Sequence, residues 1–173
     1  MKRTFALLLI FAMILSCFIA CGDDEKVKGK ESTEGLEFKL NKDEKSYTLM
    51  GMGTCTAQDI VIDYYQGYPV TEISRNSMSR SDNIRTLTIG DSVTFVGEMS
   101  FYSCKNLKSI TFGKGVNKIG KNAFEKCTSL ESVVIPDGIK VVPMRAFSGC
   151  TSLKSVMLGK DVEEIKSGAF EYC

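Results

Sequence analysis

The sequence contains neither histidine nor tryptophan. Without an imidazole, the chain cannot assemble a Ser-His-Asp or Cys-His catalytic arrangement, and it lacks the commonest zinc ligand. An excess of charge of one sign is also missing, because 22 Lys and Arg residues oppose 21 Asp and Glu residues and leave a formal net charge of +1. The overall charge gives no reason to expect nucleic acid as a partner. We expect a protein that is not an enzyme and uses no cofactor and no metal.

Residues 1–21 have the pattern of a secretory signal. Lys2 and Arg3 precede an apolar run that extends from Phe5 to Ile19. A positively charged start followed by an apolar segment of this length is typical of an export signal. A transmembrane anchor is the alternative, but a bilayer span normally needs about 20 apolar residues.

The end of this segment resembles the lipidation site of bacterial lipoproteins. Phe18-Ile19-Ala20-Cys21 is followed by Gly22, and in such signals the cysteine becomes the lipidated first residue of the mature chain. The resemblance implies lipidation at Cys21, with Cys17 as the alternative. We therefore expect an exported chain that a lipid anchors at the outer membrane or the cell surface.

Residues 22–35 read GDDEKVKGKESTEG, with one hydrophobic side chain, Val27. Such a segment cannot bury enough apolar area to offset the entropy lost on ordering, so a flexible charged tether is predicted.

A period of 23 residues organises the rest of the chain. Cysteine and phenylalanine recur with this step, and so do the aliphatic positions between them. Four complete units run from Val70 to Asp161, and a partial fifth starts at Val162. The best-defined columns are Cys104, Cys127, Cys150 and Cys173; Phe101, Phe124, Phe147 and Phe170; and Leu107, Leu130 and Leu153.

Each unit combines two spacings. Pairs such as Ile110 and Phe112 alternate with period two, which indicates a strand with one buried face. The part from Ala123 to Leu130 steps by three, which favours a short helical or 3₁₀ turn. One unit cannot bury its own apolar face, so the units are expected to stack as a solenoid over residues 70–173, with a parallel sheet on one side.

Residues 36–69 are predicted to cap the solenoid. Leu36, Phe38 and Leu40 alternate, a polar segment follows, and Tyr47 and Leu49 alternate again, which is the pattern of a β-hairpin over residues 36–51. The following residues lead into the first coil as a further strand.

The stretch IGKNAFEKCTSLESVVIP, residues 119–136, resembles the repeat of the BspA-like subfamily of bacterial leucine-rich-repeat proteins. The resemblance is specific over residues 93–173 and looser over residues 70–92. It implies a surface-attached protein whose curved sheet binds a macromolecule, commonly in adhesion to host surfaces or matrix, and it implies no catalytic residues.

The cysteine column has two interpretations. Stacked coils would place neighbouring thiols about one strand spacing apart, which is near enough for a disulfide, but translation-related side chains point in parallel. The sequence contains no Cys-x-x-Cys motif. We favour a column of small buried hydrophobic side chains, which cysteine fills well, and we expect Cys55 to be a lone buried thiol of the cap.

The solvent face of the repeated strand is the candidate binding face. With Ile110 and Phe112 pointing inward, the residues beside them point outward and form two columns. These are Thr86, Ser109, Ser132 and Ser155, and Thr88, Thr111, Val134 and Met157. Short polar side chains make a smooth surface, and Val134 with Met157 adds an apolar spot that can mark a binding patch.

Two further features suggest alternative functions. The unit from Lys105 to Lys126 holds six lysines against Glu125, a basic ridge that could attract anionic glycans. The chain stops where a further strand of the repeat would begin, so self-association through an open last coil is a second hypothesis. A carbohydrate-active enzyme is a third, but the repeats contain no paired inward-facing carboxylates.

Overall fold

The computed structural model describes residues 29–173, and these residues form β-strands and turns without any helix. The strands, in chain order, are β1 (Glu37–Leu40), β2 (Tyr47–Gly51), β3 (Asp59–Ile62), β4 (Tyr64–Tyr65), β5 (Tyr68–Ile73), β6 (Thr86–Ile89), β7 (Phe95–Val96), β8 (Ser109–Phe112), β9 (Lys118–Ile119), β10 (Ser132–Val134), β11 (Val141–Val142), β12 (Ser155–Met157) and β13 (Glu164–Ile165).

The chain winds as a solenoid with one repeat unit in each coil. Every complete unit passes through a back strand, a turn segment and a front strand, and from the second unit onward the front strand is the longer of the two. The front strands β3, β6 and β8 pair in parallel, and so do β10 and β12; we call these five strands the front sheet. The back sheet joins β1, β2, β5, β7 and β9 in that order, and β11 pairs with β13 beyond it. This is the predicted 23-residue solenoid with a parallel sheet on one face.

Two prolines in successive coils interrupt the strand ladders. In the first coil, the N–H of Gly90 donates to the carbonyl of Ile62 at 2.7 Å. In the third coil, the N–H of Gly120 donates to the carbonyl of Val96, also at 2.7 Å. Pro136 and Pro143 stand at the corresponding positions one or two units later and have no N–H to donate. This explains why β8 and β10, and likewise β9 and β11, do not form one continuous ladder.

The predicted helical or 3₁₀ turn over Ala123 to Leu130 is wrong. The N–H groups of Glu125 and Cys127 do bond three residues back, at 3.2 and 3.3 Å. The N–H groups of Phe124 and Lys126, however, each donate to a carbonyl of the next coil at 2.8 Å. Alternate N–H groups therefore donate to the next coil and not within the segment. The segment consists of turns that are hydrogen-bonded from coil to coil, and it is not a helix.

Left-handed backbone at fixed positions causes this alternation. Asn122 and Lys126 have φ angles of 59° and 62°, and the same two positions of the other coils are also left-handed. A residue with positive φ ends a helical segment, so two of them four residues apart prevent a helix from propagating. The column before the cysteine position has φ angles of 61° at Arg80, 57° at Ser103, 62° at Lys126, 71° at Gly149 and 59° at Tyr172.

The core is a ladder of phenylalanine rings with aliphatic columns on both sides. Phe101, Phe124 and Phe147 are fully buried. Successive ring centroids lie 5.2 and 5.3 Å apart with nearly parallel planes, and Phe170 follows at 5.5 Å. The solenoid is therefore stabilised by contacts between equivalent side chains of neighbouring coils.

At the N-terminal end, β1 and β2 form an antiparallel hairpin, with Phe38 opposite Leu49 and Leu40 opposite Tyr47. Strand β2 then pairs in parallel with β5, so the hairpin covers the first edge of the back sheet. Leu36 and Leu49 are buried beneath it.

Residues 31–33, which the sequence assigned to the tether, cover the first edge of the front sheet. The N–H of Thr33 donates to the carbonyl of Val61 at 2.9 Å, and that of Ser32 donates to the carbonyl of Tyr64 at 2.7 Å. The hydroxyl of Thr33 also accepts the N–H of Val61 at 2.7 Å. The contacts are hydrogen bonds and not apolar burial, which is why a criterion based on hydrophobicity overlooks them.

Candidate functional site

The front sheet carries the eight residues of the candidate binding face in two rows. In one row Thr86 is aligned with Ser109 and Ser132 with Ser155; in the other, Thr88 is aligned with Thr111 and Val134 with Met157. A backbone hydrogen bond of 3.3 Å from Glu131 N–H to the Lys108 carbonyl joins the two groups of strands, so the rows continue across the sheet. Thr86 is partly buried and the other seven residues are exposed.

An apolar spot lies at the β12 end of this face. The side chain of Val134 is 55% exposed and that of Met157 is 65% exposed, and the two residues are direct partners across β10 and β12. The remaining members of the face have short hydroxyl side chains. The surface therefore combines a flat polar area with one protruding apolar pair, an arrangement that suits contact with a macromolecule.

The face extends one strand further than the sequence indicated. Asp59 aligns with Thr86 and Val61 aligns with Thr88, which adds β3 to the sheet. The Thr86 hydroxyl donates to the Asp59 carboxylate at 2.7 Å. A search at a constant step of 23 residues misses β3 because Asp59 precedes Thr86 by 27 residues. The alternating pattern of Ile60 and Ile62 is the signal that could have found it.

A column of charged residues borders the face where the front strands begin. Arg85, Lys108, Glu131 and Lys154 are all exposed and follow the same 23-residue step. Lys154 is paired with Glu131 at 3.3 Å. Among the described residues, the side chains of Arg85 and Lys108 have no ion-pair partner. These two side chains give one end of the border a positive charge, which the sequence alone did not indicate as part of the site.

Three members of the cysteine column are buried and unreactive, and the fourth, Cys173, is exposed. Cys104, Cys127 and Cys150 have no exposed surface, and all five cysteines in residues 29–173 are free thiols. Burial raises the pKa of Cys104 and of Cys150 to about 12 and raises the pKa of Cys127 well above its ordinary value. The nucleophilic and metal-binding form of cysteine is the thiolate, so these thiols fill space in the core. Cys55 is also buried.

Asp63 is the buried carboxylate of the described chain. One carboxylate oxygen accepts the Ser92 hydroxyl at 2.7 Å and the Ser92 N–H at 3.2 Å, while the other accepts the Lys30 N–H at 3.0 Å. These bonds tie the cap to the first coil. Asp63 has no second carboxylate bonded to it, so it gives no support to the hypothesis of a carbohydrate-active enzyme.

The remaining predictions concern metal ions and attachment to a membrane. Within residues 29–173, no group of three or more Cys, Asp or Glu side chains is placed to hold a metal ion. No helix in the same residues has the length and apolar composition to cross a membrane. Cys17 and Cys21 lie outside the described residues.

Comparisons with known proteins agree with this architecture. Residues 70–173 match the family described as "BspA type Leucine rich repeat region (6 copies)". A search of functionally curated proteins gave no match.

Solved structures of bacterial leucine-rich-repeat proteins are similar to the chain. A leucine-rich-repeat protein of T. pallidum superposes with a TM-score of 0.75 at 29% identity, over 82% of this chain and 67% of the other. A leucine-rich cell surface protein of Faecalibacterium prausnitzii gives a TM-score of 0.57 at 28% identity, over 80% and 45%. A Bacteroides capillosus leucine-rich-repeat protein, at 21% identity and a TM-score of 0.60, shows the shared fold over 75% of this chain and 99% of the other.

The 23-residue coils, the parallel front sheet and the family match over residues 70–173 lead to one conclusion: the chain belongs to the BspA-type leucine-rich-repeat family.

Proposed function

We propose that the chain is an exported, lipid-anchored leucine-rich-repeat protein that binds another protein through the front sheet. The observation that carries this proposal is the exposed pair of Val134 and Met157, which are aligned across β10 and β12 on an otherwise polar face. Protein interfaces commonly combine a small apolar centre with a polar surround.

The surroundings of the pair support binding of a macromolecule. Ser132 and Ser155 lie beside it in register, and their short side chains allow a partner to approach the strands closely. Arg85 and Lys108 provide positive charge along the border of the face. A protein ligand could bury the apolar pair and form hydrogen bonds to the hydroxyl rows.

Export and anchoring rest on the sequence of residues 1–21 and on the family. A relative that covers much of this chain is described as a leucine-rich cell surface protein. Adhesion to a host surface or to matrix is the role that the family resemblance implies. Mass spectrometry of the mature N-terminus from the native host tests the anchor: a diacylated cysteine at position 21 supports it, and an unprocessed or non-lipidated terminus contradicts it.

Binding of the full chain, purified in mild detergent, to a panel of extracellular-matrix proteins and glycans tests the front-sheet proposal. The double variant Val134→Thr, Met157→Gln should weaken binding to a protein ligand by at least about tenfold, which corresponds to about 1.4 kcal/mol. Met50→Gln changes a methionine of the cap that is also exposed and should leave the affinity unchanged.

Three outcomes would contradict the proposal. Saturable binding that persists in the double variant would place the interface elsewhere. Binding confined to the glycans would favour the glycan-binding alternative, and no saturable binding to any member of the panel would argue against adhesion.

A second candidate function is assembly through the coil that contains β12 and β13. Leu158 and Ile165 are 48% and 50% exposed there, whereas the equivalent Ile135 and Val142 are buried by the coil that follows them. A second copy of the chain could cover these side chains. Sedimentation of the full chain should then show concentration-dependent dimers that Ile165→Lys abolishes, and monomers at all concentrations would contradict this function.

A further inference from the structure

A groove on the opposite side of the solenoid has no role in the front-sheet proposal. It lies across the back strands β7, β9 and β11 and has a volume of about 690 Å³. Its apolar lining comes from Phe95, Val141 and Pro143, because the side chain of Ile119 is buried in the core. Three exposed lysines also line it, and we call them its rim. Val141 is 38% exposed within it.

The repeat itself creates this groove. A Cβ atom on Gly120 would lie 2.4 Å from the backbone nitrogen of Glu98 in the preceding coil, so the close packing of the coils requires a glycine there. Gly97 and Pro143 hold the equivalent positions of the coils before and after, so this column carries no long side chain. Phe95 of the coil before and Pro143 of the coil after also line the groove.

The rim of the groove carries excess positive charge. The lysines are Lys118, Lys121 and Lys140, and the groove has one acidic residue, Glu98. The carboxylate of Glu98 is paired with Arg75 at 3.3 Å, but both side chains are exposed, so the pair is weak.

The positive charges of the rim are only partly neutralised. The ammonium of Lys118 lies 5.2 Å from the centre of the Phe95 ring. Lys140 pairs with Glu163 at 3.5 Å, but both side chains are largely exposed, so the pair is weak. Among the described residues, Lys118 and Lys121 have no ion-pair partner.

We propose that this groove binds an acidic peptide segment of a partner protein, one that carries an apolar side chain between carboxylates. The apolar side chain would fill the floor between Phe95 and Pro143, and the carboxylates would meet Lys118 and Lys121. The sulfates of a glycan could also pair with the lysines, but its hydroxyl groups would be left without partners against the apolar floor, so an apolar side chain between carboxylates fits the groove better. The proposal is independent of the front sheet.

Selection from a random peptide library against the full chain in mild detergent tests the proposal. Enriched peptides should contain an apolar residue flanked by Asp or Glu, and their affinity should fall as the salt concentration rises. The variant Lys118→Glu, Lys121→Glu should weaken binding of the best peptide by at least about tenfold. Lys105→Glu, which changes the charge of an exposed lysine outside the groove, is the control and should change binding by less than about twofold.

Each remaining outcome overturns the proposal. Enriched peptides without acidic residues, or no enrichment at all, would show that the groove does not select this chemistry. Equal weakening by the double variant and by Lys105→Glu would indicate an unspecific charge effect. Loss of peptide binding in Val134→Thr, Met157→Gln with no loss in the lysine variant would assign the peptide to the front sheet. Binding of a heparin-derived oligosaccharide that competes with the peptides and exceeds them in affinity would favour a glycan ligand instead.

Discussion

The thiol of Cys127 donates a hydrogen bond to the carbonyl oxygen of Phe101 in the preceding coil, with an Sγ–O distance of 3.3 Å. Cys150 bonds the carbonyl of Phe124 in the same way at 3.3 Å. Ionisation of such a thiol would cost this bond as well as the desolvation of the charge. The cysteine column therefore links neighbouring coils only while its members remain protonated.

This relationship predicts that stability falls in alkaline solution. The pKa of Cys104 and of Cys150 is raised from 9.0 to about 12 by burial, so in the folded chain the thiols stay neutral where they would ionise in the unfolded chain. Their contribution is complete below about pH 9 and is lost as the pH rises towards 12. Each such thiol should lower the free energy of unfolding by about 1.4 kcal/mol per pH unit in this window.

Urea unfolding at several pH values checks this prediction. Lysines and tyrosines also titrate in this range, so the informative quantity is a difference in slope between variants. Cys104→Ala should have a slope shallower by about 1.4 kcal/mol per pH unit than the unmodified chain. Cys173→Ala removes an exposed thiol and should change the slope much less. Equal slopes for the unmodified chain and Cys104→Ala would show that Cys104 ionises without unfolding.

The phenylalanine ladder predicts that stability depends on position along the solenoid. Phe124 stacks between two rings, at 5.2 and 5.3 Å, and contacts Phe112 edge-on at 5.7 Å. Phe124→Ala should therefore lower the free energy of unfolding by about 3 to 5 kcal/mol. Phe170 is partly exposed and stacks only on Phe147 among the described residues, so Phe170→Ala should cost less than half as much. Denaturant unfolding measures both, and equal losses would mean that the ladder contributes no more in its middle than at its end.

The periodic part of this fold could be predicted from the sequence because each coil repeats the same contacts. Equivalent residues such as Ser109 and Ser132 occupy equivalent positions, so a column in the sequence becomes a row on the front sheet. Two outward-facing residues, Val134 and Met157, were identified from alternation alone. The candidate binding face therefore follows from spacing without knowledge of any contact.

The features that sequence reasoning missed depend on backbone geometry or on a break in the period. The turn segment has a step of three, like a 3₁₀ turn, but Asn122 and Lys126 adopt left-handed conformations that side-chain periodicity does not reveal. Asp59 escaped because the cap shifts it four residues out of step. The groove on the back strands is lined by Gly120 and Pro143, which have no long side chain, and a search for functional side chains does not detect it.

Two serines with buried hydroxyl oxygens predict a stabilising substitution. Ser77 and Ser100 occupy the column that holds Ala123, Ala146 and Ala169 in later coils. Their hydroxyl oxygens are buried and have no hydrogen-bond partner among the described residues. A buried hydroxyl without a partner costs about 1 to 3 kcal/mol, so Ser100→Ala should raise the free energy of unfolding by about 1 kcal/mol.

Thermal or urea unfolding of Ser100→Ala checks this expectation. Ser109→Ala, on the exposed front face, is the matched control and should change stability by less than about 0.5 kcal/mol. A loss of stability in Ser100→Ala would show that the hydroxyl has a partner, such as a bound water.

The left-handed column predicts opposite effects for glycine at neighbouring residues. Lys126 has a φ of 62°, and the equivalent residue of the next coil is Gly149, with a φ of 71°. A left-handed conformation costs a non-glycine residue roughly 1 to 2 kcal/mol, while glycine adds about 0.5 to 1 kcal/mol of unfolded-state entropy. Lys126→Gly should therefore leave stability unchanged or raise it by up to about 1 kcal/mol. Glu125→Gly, next to it at ordinary φ, should lower stability by at least about 0.5 to 1 kcal/mol.

A β-branched residue sharpens the same test. Lys126→Val should lower stability by about 1 to 2 kcal/mol, because a branched Cβ is especially unfavourable at positive φ. Lys126 is exposed and its ammonium donates to the Tyr102 hydroxyl at 3.1 Å. Glu125 is partly buried and its carboxylate accepts a hydrogen bond from the Asn122 side chain, so the loss in Glu125→Gly includes that bond. Equal destabilisation by Lys126→Gly and Glu125→Gly would show that left-handed residues do not determine the turns between coils. The hydrogen bonds between coils alone would then explain why no helix forms.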